Sequence, residues 1–170
     1  MSNLYIRNIV RFIALILIQV LVLNHMNLSG YINPYVYVLF ILLLPVQINK
    51  SALLLLAFIT GLTIDLFGNT LGLHTASTVL LAYARPGILR LFFKNLEFSA
   101  DEEPNISKLK PGGFLKYTLV LVFIHHTALF FLEVFSFNGF LSTLSRIALS
   151  TLVTTLMIMT LALLFASRKK

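Results

Sequence analysis

The chain has 170 residues, 58% of them hydrophobic and 11% charged, with a mean hydropathy of +0.93. That balance leaves too few polar side chains to clothe a water-soluble fold of this length, and the absence of cysteine excludes disulfides and thiolate metal sites. The net charge of +7 does not point to nucleic acid, because the cations sit in short breaks between apolar runs, as they do at cytoplasmic membrane flanks.

Six apolar runs follow in chain order, at about 8–26, 33–48, 51–67, 71–84 with an extension past Pro86 left open, 115–137 and 143–166. The first has a basic start in Arg7 and Arg11 and no small-residue cleavage site after it, so it reads as a retained anchor. The second and fourth are short. Pro45 lies near the end of the second, and Arg85-Pro86 interrupts the fourth, since a residue before proline is pushed out of the helical region. The stretch at about 85–114 reads as a flexible cytoplasmic loop carrying Glu97, Asp101, Glu102 and Glu103. At its start, Ile88, Leu89, Leu91, Phe92 and Phe93 alternate with Arg90 and Lys94, which suits a short helix on the membrane surface. The expected fold is all-α: one transmembrane domain over 1–170, a polytopic six-helix bundle.

Orientation follows from the cations. Arg7 and Arg11, Lys50, the six Lys/Arg from Arg85 to Lys116, and Arg168, Lys169 and Lys170 occupy every second break, and the intervening breaks hold none. Basic loops are retained on the cytoplasmic side, which places both termini in the cytoplasm. The triplets Asn27-Leu28-Ser29 and Asn105-Ile106-Ser107 match the glycosylation pattern by chance, as the second is then cytoplasmic. No internal repeat supports an inverted-repeat transporter.

Six ionisable residues fall inside the spans: Asp65, His74, His125, His126, Glu133 and Arg146. Each is expensive to place in hydrocarbon, so each calls for a partner or a role. Helical rise puts Asp65 roughly 21 Å and Glu133 roughly 24 Å from the cytoplasmic side, and His74 and Arg146 share that outer depth. Glu133 and Arg146 lie on spans joined by a short loop and are expected to pair; Asp65 and His74 flank a tight turn in the same manner. The two open readings are contacts that pair helices and a polar pocket facing outward. Adjacent His125 and His126 diverge on a helix and make a poor metal site, so interhelical hydrogen bonds are expected, with Arg146, Ser150 and Thr154 as a facing polar stripe. Gly61, Asp65, Gly68 and Gly72, spaced four, three and four, form a helix-packing seam. No hydrolytic triad, phosphate loop or metalloprotease motif is present, and neither an enzyme nor a cofactor is expected.

The stretch Gly61-Leu62-Thr63-Ile64-Asp65-Leu66-Phe67-Gly68-Asn69-Thr70-Leu71-Gly72-Leu73-His74 resembles the glycine and aspartate segment of the MreD family of rod shape-determining membrane proteins. Ala82-Tyr83-Ala84-Arg85-Pro86-Gly87-Ile88-Leu89, His125-His126 and Phe130-Phe131-Leu132-Glu133 look like the version found in Bacteroidetes-type bacteria, and the resemblance covers nearly the whole chain. It implies a multi-pass protein of the bacterial inner membrane, a non-enzymatic subunit of the cell-elongation complex that helps organise lateral peptidoglycan synthesis. The implied partners are MreC, RodA with its penicillin-binding transpeptidase, MreB indirectly, and membrane lipid. The implied fold is similar to the six-helix substrate-binding subunit of energy-coupling-factor transporters, and Gly61, Asp65 and Gly72 are the motif positions. The alternative function is a small-solute-binding transporter subunit with an outward polar pocket; a cavity lined by Asp65, His74, Glu133 and Arg146 would separate the two.

Overall fold

Long apolar stretches with polar residues at their ends become helices here. The structure, a computed structural model, describes residues 2–26, 32–135 and 139–166, and every element among them is helical. α1 covers Ser2–Leu21 and continues into a 3-10 turn at Leu23–His25; α2 is one turn at Leu39–Leu42, entered through a 3-10 turn at Val36–Val38. α3 covers Lys50–Gly68, α4 Leu73–Phe93, α5 Ile106–Val134 and α6 Phe140–Ala166. Four stretches, Leu4–His25, Lys50–Gly68, Ile106–Val134 and Phe140–Phe165, are long and apolar enough to cross a membrane. α4 matches them in length but carries Arg85 and Arg90 along with several hydroxyls. The Asn27-Leu28-Ser29 triplet and the terminal Arg168, Lys169 and Lys170 lie outside the described residues.

Helix ends follow local chemistry. The Asn49 side chain accepts the Ser51 N–H at 2.8 Å to start α3, and Asn69 ends it in the left-handed region at φ 51°. Asn105 caps α5 through the Lys108 N–H at 2.9 Å. Lys110, at φ 59° and ψ 159°, then kinks α5 because Pro111 disfavours a helical residue before it. Consecutive helices from α3 to α6 pack most extensively on one another, and α1 lies mainly against the residues around α2.

Two expectations need correction. The apolar run 33–48 is not a spanning helix: seven residues, 36–42, are helical, and all seven are buried inside the bundle. Pro34 and Pro45 bound them and remove two backbone donors, so the segment is anchored by side chains of other helices instead. The second correction concerns 85–114. α4 continues through Pro86 to Phe93 and α5 begins at Ile106, which leaves a connection of 94–105. Proline in a helix costs about 3 kcal/mol, but Leu81, Ala82, Arg85 and Leu89 bury one face of α4 across that point and offset it.

The connection is also fastened at several points. Glu103 is buried, accepting from Arg7 Nη2 at 2.8 Å and from both terminal nitrogens of Arg11 at 3.1 and 3.0 Å. The Val46 N–H donates to the Glu102 carbonyl at 2.9 Å, and Gln47 Nε2 to the Phe98 carbonyl at 2.7 Å. Lys108 pairs with Glu102 at 2.9 Å, and its hydrogen bond holds that carboxyl below the usual carboxylate range. The start of α1, the 43–47 strip and the 94–105 connection therefore share one end of the bundle.

Candidate functional site

At the opposite end, the Gly61 to His74 segment forms a helix hairpin whose glycines and aspartate have separable tasks. α4 begins at Gly72, which has no side chain with which to cap it, so its first N–H groups need an acceptor from elsewhere. Asp65 of α3 supplies it. Oδ1 accepts from the His74 N–H at 3.1 Å and Thr70 Oγ1 at 2.5 Å; Oδ2 accepts from the Thr75 N–H at 2.8 Å and Thr75 Oγ1 at 2.6 Å. The negative charge also suits the positive end of the α4 dipole. Gly61 permits the approach, because a Cβ there would meet Thr75 Cα at 2.4 Å and the His74 carbonyl at 2.7 Å. Gly72 has open space but a φ of +84°, so its requirement is conformational. Gly68 has neither constraint: the nearest atom to a Cβ is Thr70 Oγ1 at 3.6 Å.

The histidines converge on the irregular 33–42 segment. Tyr37 Oη lies 2.8 Å from His125 Nε2, 3.1 Å from Thr78 Oγ1 and 3.2 Å from His74 Nδ1. His126 Nδ1 sits 2.9 Å from the Val122 carbonyl, which only accepts, so that nitrogen carries the proton. Its Nε2 lies 3.3 Å from Thr154 Oγ1, and Thr154 in turn accepts the Tyr35 N–H at 3.1 Å. His125 Nδ1 is buried without a partner among the described residues; a proton on Nε2, donated to Tyr37, leaves there a lone pair and not an orphaned N–H. The Tyr35 ring packs edge-on to His74 with centroids 4.9 Å apart and stands 5.5 Å from that of His126. No set of three His, Asp or Glu side chains comes together as metal ligands among the described residues.

Gln19, Arg85 and Tyr117, which charge and spacing alone did not single out, complete the arrangement together with Ser150 of the expected stripe. Gln19 of α1 is 1% exposed; its Oε1 accepts the Val36 N–H at 2.9 Å while Nε2 donates to the Pro34 carbonyl at 3.0 Å. Ser150 Oγ accepts the Asn33 N–H at 3.1 Å. At the other end of the segment Arg85, 1% exposed, donates Nη2 to the Leu44 carbonyl, Nη1 to Pro45 O at 3.4 Å and Nε to Tyr117 Oη at 2.9 Å. Tyr117 passes its own proton to the Leu42 carbonyl at 2.9 Å. Arg85 faces no carboxylate among the described residues; its charge is met by carbonyls at the C-terminal, negative end of α2. Gln19 is an amide within the most apolar part of α1 and Arg85 a cation next to Pro86 in an apolar run, and those anomalies were the available signals.

Glu133 and Arg146 meet across the α5–α6 hairpin, Oε2 to Nη1 at 3.0 Å, with the guanidinium 4.3 Å above the Phe130 ring. The two side chains are 40% and 21% exposed, so the pair contributes about 1 kcal/mol or less. Glu133→Gln should therefore lower the midpoint of a detergent unfolding titration slightly. The exchange Glu133→Arg with Arg146→Glu should recover part of that loss. An exchange no better than either single change would mean that the pair adds nothing.

A polar cleft of about 380 Å³ opens between the ends of α1 and α3, lined by Gln19, Asn24, His25, Asn33, Thr70 and His74 among others. Of the four charged or titratable groups expected at the outer depth it borders His74 alone; Asp65 is engaged in capping, and Glu133 with Arg146 lies elsewhere. No protein family, curated protein or solved structure matches the chain.

Proposed function

We propose that this protein is a non-enzymatic subunit of the bacterial cell-elongation complex, a rigid membrane-embedded scaffold that helps organise lateral peptidoglycan synthesis through MreC and RodA with its transpeptidase. Four long apolar helices support insertion in the membrane. With α4 and the 33–46 strip they make six crossings. Arg7, Arg11, Lys50, Lys94 and Lys108 lie toward one end of that bundle, which supports a cytoplasmic location for that end and for both termini.

The observation that carries the scaffold reading is the use of the intramembrane polar groups. Asp65, Gln19, Tyr37, Arg85, Ser150 and Thr154 are engaged with backbone or with neighbouring side chains, so these polar groups build architecture. The motif segment that carries the MreD resemblance is part of that architecture. The polar cleft keeps a solute-binding reading as the second choice, weakened because Asp65, Glu133 and Arg146 do not line it. Purification of the intact protein from its native membrane, with identification of what accompanies it, tests the proposal. MreC, RodA and the transpeptidase are expected; an ATPase pair with a coupling membrane subunit would replace this reading with solute capture.

A further inference from the structure

The chain leaves an apolar groove at the end that carries Arg7 and Lys50, and its origin is local. α2 stops at Leu42, and the turn residues that follow do not carry the helix on, so α1 and α3 are not filled in between. The groove measures about 590 Å³ and is walled by Leu4, Ile9, Phe12, Phe40, Leu56 and Ile59, with Asn8, Gln47 and Asp101 at its polar mouth. Its walls belong to stretches apolar enough for the bilayer, and in hydrocarbon such an opening is neither empty nor wet. A partner helix about 10 Å across would exhaust the volume in roughly 7 Å of length, about five residues, too little to anchor it. A thinner chain suits it.

We propose that the groove holds an acyl chain of an inner-leaflet phospholipid whose headgroup carries an ammonium. Asp101 is the one formal charge among the lining residues and makes no ion pair among the described residues, so it attracts an ammonium and disfavours a purely anionic headgroup. The inference rests on the transmembrane orientation proposed above but not on any role in cell elongation, and its readout involves no partner protein.

The test is native mass spectrometry of the intact protein reconstituted with equal phosphatidylethanolamine and phosphatidylglycerol. One retained phospholipid per chain is expected, enriched in phosphatidylethanolamine. Ile59→Trp, on the membrane-facing surface of α3, should reduce retention roughly tenfold by displacing several methylenes from the groove. Ile9→Trp from the opposite wall should do the same, and serves if the first variant fails to fold. Leu66→Trp, exposed on α3 away from the groove, should leave retention unchanged. Asp101→Asn should keep the lipid and erase the headgroup preference. A photo-crosslinking residue at position 59 in native membranes should gain the mass of a lipid. Retention unaffected by both groove variants, equal retention of the two lipids by the natural sequence, or a crosslink of protein mass would each overturn the proposal.

Discussion

Arg85→Met should lower the stability of this protein by on the order of 1 to 3 kcal/mol, the cost of one orphaned buried carbonyl. Leu44 O loses its side-chain donor and cannot turn to water from inside the bundle, whereas Pro45 O keeps the Ile48 N–H at 3.4 Å. Leu42 O keeps its bond from Tyr117, whose hydroxyl in turn loses the Arg85 Nε–H. An opposing effect exists: methionine removes the desolvation penalty of a cation that is 1% exposed. Arg85→Lys separates the two. Lysine keeps the charge and its desolvation but brings three donors to a point, where the guanidinium spreads its donors over Tyr117 and the carbonyls of Leu42, Leu44 and Pro45. If the fork is what matters, lysine should recover less than half of the loss. Equilibrium unfolding of purified protein in mixed detergent reads all three. An Arg85→Met midpoint equal to that of the natural sequence would show that the Leu44 carbonyl finds another donor. Tyr117→Phe, which removes one bridging hydroxyl and orphans the buried Arg85 Nε–H, should cost about 1 to 3 kcal/mol by the same measurement.

What sequence reasoning reached, and what it did not, divides along the range of the forces involved. α1, α3, α5 and α6 were legible because each is a long apolar run closed by polar or turn residues, and helix formation in such runs is a local matter. Glu133 and Arg146 were legible as neighbours because a short connection makes α5 and α6 antiparallel. The 33–48 run was not, since a segment buried among helices and one facing lipid are equally apolar. Its unwinding depends on Gln19, Arg85, Tyr117, Ser150 and Thr154, which arrive from four other helices. Pro86 misled for a related reason: a local helix breaker was overruled by packing on both sides of it. Glu103 looked like part of a solvated loop, and no pattern within the loop reveals that Arg7 and Arg11, more than ninety positions away, close on it. The glycine and aspartate spacing was visible, whereas its purpose was not, because Asp65 acts on the helix after its own.

That purpose makes Gly61 and Asp65 energetically coupled. Gly61→Ala forces a Cβ against the backbone of Thr75 and His74, where no flexible side chain can yield, so α4 must shift at a cost of roughly 1 to 3 kcal/mol. Asp65→Ala alone orphans the His74 and Thr75 N–H groups along with the Thr70 and Thr75 hydroxyls, and should cost at least the ~2 kcal/mol of a strong helix cap. The two losses should not add. Once the alanine has pushed α4 away, the carboxylate no longer reaches both N–H groups, and its removal costs less. The double variant is therefore expected to be more stable than the summed single effects by about 0.5 to 3 kcal/mol. Gly68→Ala, with its nearest neighbour at 3.6 Å, should show no such coupling to Asp65 and serves as the internal comparison. Unfolding titrations of the single and double variants close the cycle. Strict additivity for Gly61 and Asp65 would mean that the close approach and the cap are independent features, and that the motif is not one device for seating α4.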